Sequence, residues 1–218
     1  MSTSSPIYRY AGEAVDVTWD QRLCIHIGEC GGAKGELFVT GREPWCRPDV
    51  TSVAEVAEVC ERCPSGALVY EAKDGAVTEQ PAACNTVHVT YRGPLFVRGD
   101  LGIEGGPADM PGTRFRAALC RCGASKNKPF CDNSHVAAGF DDAGAVGEAG
   151  SRTTAGGGPL VIRGIRNGPL HLTGNLSIQA GSGVTRWHGT EAFLCRCGAS
   201  KNKPFCDGTH KRIGFTAG

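Results

Sequence analysis

Neither sign of charge dominates this chain: 23 lysines and arginines stand against 22 aspartates and glutamates, a formal net charge of +1. That balance supports neither a basic face for nucleic acid nor an acidic tail. Long apolar runs are also missing, since no window approaches the roughly 18 consecutive apolar residues of a membrane span. The start, MSTSSPIYRYAGEAVDVTWD, lacks the basic stretch and apolar core of an export signal. The expectation is a soluble, cytoplasmic protein with no nucleic-acid and no membrane partner. Catalytic signatures are lacking as well. The glycines never form G-x-G-x-x-G between a strand and a helix, and no Ser, His and Asp stand in the order and context of a triad. These absences favour a protein that is not an enzyme.

Two residue types are abundant instead. Glycine accounts for 32 of 218 residues, roughly twice its average usage of about 7%, which implies many tight turns, short strands and little long helix. Cysteine occurs 12 times. Without an export signal the compartment is a reducing one, so these thiols are expected to be metal or redox ligands before they are disulfides.

The stretch CRCGASKNKPFCD occurs at positions 120 to 132 and again, unchanged, at 195 to 207. The same offset of 75 residues lays GPLFVRGDLGI (93 to 103) over GPLHLTGNLSI (168 to 178) and HVAAGF (135 to 140) over HKRIGF (210 to 215). Two homologous modules therefore follow one another. Leu95 and Val97 alternate with Phe96 and Arg98 between Gly and Pro, the pattern of a short strand. The intervening DDAGAVGEAGSRTTAGGGP is small, Gly-rich and free of apolar periodicity, and is expected to be a flexible connection. The region before the repeat differs. AGEAVDVTWD alternates like a strand, and Val53, Val56, Ala57 and Cys60 mark one face of a helix ending near Pro64, with Ser52 and Glu55 in the capping-box spacing.

Each repeat carries three cysteines and a histidine: Cys120, Cys122, Cys131 and His135, then Cys195, Cys197, Cys206 and His210. Three thiolates so close together call for a cation. A structural zinc is one reading, because Cys3His is an accepted zinc set, although zinc ligands usually pair as C-x2-4-C rather than C-x-C. CRCGASKNKPFCDGTH also resembles the CDGSH signature of the mitoNEET-type iron–sulfur proteins. The likeness includes Ser125 and Ser200, Pro129 and Pro204, and Asp132 and Asp207. It implies that each ligand set holds a 2Fe-2S cluster, and that Asp132 and Asp207 cap short helices whose amides face it. The first motif departs from the family with Asn133 where glycine is usual, and Asn is the residue that best replaces Gly at positive φ. One imidazole in place of a thiolate removes negative charge from a cluster and raises its reduction potential. It also makes cluster retention pH-dependent. Lys126, Lys128, Lys201 and Lys203 read as a solvated rim, or as a docking edge for an acidic redox partner. His88, His171 and His188 have no ligand spacing and are expected to be structural or surface residues.

In CIHIGEC and CPSGAL, Cys24, Cys30 and Cys63 fit the outline of a ferredoxin half-site, C-x2-C-x2-C with a distant C-P, but Ile27 occupies the middle ligand position. From about Val17 to Tyr70 the chain resembles a small divergent single-cluster ferredoxin domain. Three cysteines favour a 3Fe-4S cluster; a 4Fe-4S cluster needs a fourth ligand, for which His26, Cys46, Cys60 or solvent are the candidates. Cys46, Cys60 and Cys84 read as packed thiols, which leaves three cysteines for each of three centres.

The expected architecture is α+β. A small ferredoxin-like α+β domain (1–82) precedes two β-rich CDGSH modules (83–145 and 146–218), which the family resemblance implies are packed as a pseudo-twofold pair within one monomer. The function expected is that of a soluble one-electron carrier between a reductase and an oxidoreductase. The alternatives are cluster donation to an apo-acceptor or redox and pH sensing, and a reductase acting on a bound small molecule.

Overall fold

Alternation and capping place the first elements where the sequence indicates. The computed structural model describes residues 6–105, 110–147, 149–151 and 156–217. Strands β1 (Ile7–Tyr10), β2 (Val15–Asp20) and β3 (Leu68–Ala72) form an antiparallel sheet in that order, and helix α1 (Val53–Arg62) packs on β3. The Ser52 hydroxyl accepts the Glu55 amide at 3.2 Å, while the Glu55 carboxylate turns to the Thr51 hydroxyl, so only half of the capping box forms. Val56, Ala57, Val59 and Cys60 are buried and Val53 only partly. The helix stops because Cys63, ahead of Pro64, must be extended.

The repeat builds one seven-stranded sheet from β4 (Thr86–Val89), β5 (Leu95–Arg98), β6 (Asp100–Ile103), β7 (Arg116–Leu119), β8 (Pro159–Gly164), β9 (Leu170–Gln179) and β10 (Thr185–Leu194). The first module ends in a one-turn helix, α2 (Ser134–Ala137), and the second in α3 (Thr209–Arg212). Pairing within a module is antiparallel, as in β4 with β5 and β8 with β9. Pairing between modules is parallel. Thr86 of β4 faces Ser177 of β9, and Gly102 of β6 faces Val161 of β8. Adding the 75-residue offset to Thr86 and Gly102 gives Val161 and Ser177, so the two contacts are one contact repeated by a pseudo-twofold axis. Each module thus lends a strand to its twin and covers edges that would otherwise expose unpaired backbone groups. The axis passes between Cys122 and Cys197, whose backbones form an antiparallel bridge. A Cβ on Gly123 would lie 2.7 Å from the Cys197 carbonyl oxygen, and one on Gly198 would lie 2.5 Å from that of Cys122. Both positions exclude a side chain.

The connection between modules departs from the flexible linker expected. Its described residues, 141–147, 149–151 and 156–159, lie against the sheets: Asp142 pairs with Arg121, the Gly144 carbonyl accepts the Gly181 amide at 2.8 Å, Val146 is buried, and the Gly158 carbonyl accepts the Asn85 side chain at 2.9 Å. Arg121 is buried, and this segment supplies the carboxylate that pairs with its charge. Glu148 and residues 152–155 lie outside the described residues.

The N-terminal domain docks on the first module. Arg116 of β7, 1% exposed, donates to the carbonyl oxygens of Cys60 (2.8 Å), Cys63 (2.6 Å) and Leu68 (3.0 Å), and pairs with Glu79. Gly66 and Gly112 meet so closely that a Cβ on Gly112 would lie 1.9 Å from the Gly66 carbonyl oxygen. Among the described residues, no helix is long and apolar enough to cross a membrane.

Candidate metal centres

Each CDGSH loop leaves a sheet strand and returns to it. Cys120 follows β7, where its amide donates to Pro129 O at 2.9 Å, and the Cys131 amide donates to Ala118 O at 2.8 Å. Ser125 staples the loop, donating to Phe130 O at 2.7 Å and accepting the Asn127 amide at 3.0 Å. Asp132 takes the Lys126 amide at 2.8 Å and the Ser134 amide at 3.0 Å. Burial works the other way, but these hydrogen bonds hold its carboxyl below the usual range. The second loop repeats the scheme: Ser200 to Phe205 O at 2.7 Å, and Asp207 to the amides of Lys201 (2.8 Å) and Thr209 (2.9 Å). The expected aspartate cap is present. The amide that reaches a sulfur, however, belongs to the residue before each helix: Asn133 N to Cys131 Sγ and Gly208 N to Cys206 Sγ, both 3.4 Å. Both residues are left-handed, with φ 68° at Asn133 and 82° at Gly208, as the Asn-for-Gly exchange requires.

The donors form pairs. Cys120 and Cys122 sulfurs are 3.7 Å apart, and Cys131 Sγ is 3.4 Å from His135 Nδ1; in the second loop the distances are 3.8 and 3.3 Å. Two thiolates bound at ~2.3 Å to one tetrahedral ion stand about 3.8 Å apart, and a thiolate and an imidazole about 3.5 Å. Among the described residues, no three His, Cys, Asp or Glu side chains converge on one ion. Each pair therefore has the spacing of two ligands on one metal ion. Burial lifts the thiols of Cys131 and Cys195 to about 11, so a cation must accompany their thiolates. The hydrogen bond shared between the Cys120 and Cys122 thiols lowers one and raises the other, so the two do not ionise independently.

The two loops differ in their surroundings. Arg121 is buried, stacked under Phe140 and paired with Asp142 at 2.5 Å. Its twin Arg196 donates to Gly168 O (3.0 Å) and Ile165 O (2.6 Å) beneath Phe215, and Ala217 holds the place equivalent to Asp142. Lys128 and Lys203 are not part of a solvated rim. Lys128 lies 6.0 Å from the Phe215 ring and Lys203 lies 3.8 Å from Asp142, each reaching into the other module, while Lys126 and Lys201 are exposed.

In the N-terminal domain, Cys24, Cys30 and Cys63 line one cavity of about 870 Å³ with His26, Ile27 and an aromatic wall that includes Tyr10, Trp19 and Trp45. His26 Nδ1 is 3.9 Å from Cys24 Sγ. Cys46 and Cys60 lie outside that lining, fully buried; desolvation pushes Cys46 up to about 12 and Cys60 higher. They are packed thiols, as their apolar settings indicated, and Cys84 is half-buried. No disulfide joins any of the twelve cysteines. His171 pairs with Glu191 and His188 with Ser177, both structural contacts.

Sequence reasoning missed Arg116, Asp142 and the aromatic wall, whose roles depend on contacts between distant segments. Asn133 was marked by its departure from glycine. Its side chain donates to Ile25 O at 2.7 Å, and Asn127 donates to Arg22 O at 2.7 Å, fastening the first loop to the N-terminal site.

Residues 10–73 match the family model described as a divergent 4Fe-4S mono-cluster, and residues 92–136 and 167–211 each match the iron-binding zinc finger of CDGSH type. Over 64 residues the chain is 45% identical to the uncharacterized protein YjdI of Escherichia coli strain K12, spanning 29% of this chain and 84% of that one. The same figures hold for YjdI of E. coli O157:H7. No solved structure matches the chain. The chain therefore belongs to the iron–sulfur proteins, joining a divergent 4Fe-4S mono-cluster domain to two CDGSH-type iron-binding domains.

Proposed function

We propose that this protein is a one-electron carrier with three iron–sulfur centres, working in a reducing compartment such as the cytoplasm between a reductase and a redox acceptor. Cys120, Cys122, Cys131 and His135 hold one 2Fe-2S cluster and Cys195, Cys197, Cys206 and His210 a second. Cys24, Cys30 and Cys63 hold the N-terminal cluster. His26 is the histidine on that cavity, and its coordination makes the cluster 4Fe-4S; without it the three thiolates suit 3Fe-4S. The clusters supply reversible one-electron chemistry. The chain supplies thiolates, amides that donate to Cys131 and Cys206, and buried arginines that offset negative charge beside each C-x-C pair.

The observation that carries this reading is contiguity. The first CDGSH loop is hydrogen-bonded to the N-terminal site, and the two loops meet through the Cys122–Cys197 bridge. A storage or sensing role needs no such contact. Anaerobically purified protein is expected to contain iron and sulfide for three clusters and to mediate electron flow from a flavoprotein ferredoxin reductase to cytochrome c. A colourless zinc protein, or holo-protein that mediates no flow, overturns the reading. EPR of the oxidised protein decides the N-terminal cluster, because oxidised 3Fe-4S is paramagnetic and oxidised 4Fe-4S is not.

Cluster donation is the second reading. It is favoured by the position of His135 and His210 on one-turn helices at the surface, where the imidazole can leave the metal without unfolding a strand. Incubation with apo-ferredoxin tests it, and a lack of iron–sulfur transfer from oxidised and reduced protein alike removes it.

A further inference from the structure

The two CDGSH loops are identical over thirteen residues, yet the N-terminal domain contacts the first through two asparagine side chains. Asn127 belongs to the identical part. Asn133 lies just beyond it, where the second loop has Gly208.

Asn133 is bonded in both directions. Its amide donates to the sulfur of Cys131 at 3.4 Å, and its side-chain nitrogen donates to the carbonyl oxygen of Ile25, the residue bonded to Cys24, at 2.7 Å. Ile25 is 5% exposed and packs with Ala118 against Cys131. A continuous path of covalent bonds and two hydrogen bonds therefore runs from one proposed ligand sulfur, Cys131, to another, Cys24. Gly208 also donates to its cysteine sulfur, at 3.4 Å, but has no side chain with which to extend a path. Electron tunnelling decays far less steeply along bonds and hydrogen bonds than across gaps.

Resting on the electron-carrier reading, we infer that Asn133 is a positioning residue that wires the N-terminal centre to the first CDGSH centre. The three centres then work in series, with the second CDGSH centre reached through the Cys122–Cys197 bridge. In each transfer the reduced N-terminal centre loses one electron and the oxidised first CDGSH centre gains it; no bond to a ligand is made or broken. The Asn-for-Gly departure is the device that makes one of two otherwise identical loops the receiving one.

The experiment compares the full-length holo-protein with Asn133→Gly and Asn127→Ala. N133G places the residue of the second loop in a backbone that is already left-handed, so the cluster cradle is retained. N127A removes the other docking bond, to Arg22 O, which touches no ligand sulfur. Each protein is reduced by a laser flash with a deazaflavin photoreductant, and freeze-quench EPR follows the electron from the N-terminal signal to the CDGSH signals. Equilibrium potentials and the spin–spin interaction between the reduced centres are measured alongside. The expected result is a several-fold slower transfer in N133G, with unchanged potentials and spin coupling, and a wild-type rate in N127A. Equal slowing in both variants would mean that docking alone matters, and a wild-type rate in N133G would mean that the path carries nothing; either overturns the inference. The carrier reading fails separately, if wild-type protein relays no electrons from the reductase to cytochrome c.

Discussion

Replacing Arg116 with alanine tests how the N-terminal centre is held. The side chain is 1% exposed and makes five hydrogen bonds, three to the carbonyls of Cys60, Cys63 and Leu68 and two to Glu79. Burial disfavours its charge, but Glu79 holds it ionised. Arg116→Ala leaves a part-buried carboxylate and three carbonyls without their donor. Breaking a buried pair in this way costs about 3–5 kcal/mol, against a domain stability of about 5–15 kcal/mol. For a chain of this size that corresponds to a fall in Tm of about 6–20 °C. The lost bonds converge on the turn that carries Cys63, so the N-terminal cluster should be lost before the CDGSH clusters. Thermal melts followed by circular dichroism and visible absorbance, with EPR of each centre, resolve that order. The double variant Arg116→Met with Glu79→Gln removes both charges and should recover part of the loss. The position 75 residues later is Glu191, exposed and paired with His171, and Glu191→Ala should cost no more than about 1 kcal/mol. An Arg116→Ala melt within about 1 kcal/mol of wild type, or simultaneous loss of all three clusters, refutes the reasoning.

Gly112→Ala puts a methyl 1.9 Å from the Gly66 carbonyl oxygen, where only backbone can yield, so we expect about 1–3 kcal/mol of destabilisation, seen as early loss of the N-terminal cluster with the CDGSH spectrum retained. Ser125→Ala and Ser200→Ala each strip a buried carbonyl of its donor, at about 1–3 kcal/mol, and should speed cluster loss to a chelator equally, because the two hydroxyls make the same bonds at 2.7 and 3.0 Å. One silent variant beside one costly one would contradict the pseudo-symmetry. Asp142→Asn leaves Arg121 buried without its carboxylate, and should lower stability and raise the potential of the first CDGSH cluster; redox titration with an unmoved first potential would remove Arg121 as a tuning charge. The depressed carboxyls of Asp132 and Asp207 stabilise the cradles above the unfolded carboxylate value of about 4 and cease to do so as pH falls through their folded values. Cluster release between pH 5 and 7 therefore cannot come from them, and Asp132→Asn should leave the midpoint of acid release in that range unchanged.

The candidate ligand sets could be proposed from the sequence because their donors are local. Each CDGSH set lies within sixteen consecutive residues, so spacing and the two-fold recurrence defined it without reference to the fold. The capped helix α1 and the alternating strands β2 and β5 were readable for the same reason, since periodicity and capping act over a few residues. That two modules would complete each other was expected, but the register, Thr86 on Ser177 and Gly102 on Val161, joins residues about ninety and sixty positions apart and appears only once the sheet is assembled. The linker looked flexible because glycines carry no pattern; it packs because Arg121, buried by the fold, draws Asp142 to it. Identical loops also acquired different roles. The N-terminal domain covers one of them, so Arg116 became a clamp where its twin Glu191 stays in water, and Asn133 became a bridge where Gly208 is a turn. Ligand identity is a matter of neighbours in the chain, whereas which centre touches which is a matter of packing between surfaces that no local pattern encodes.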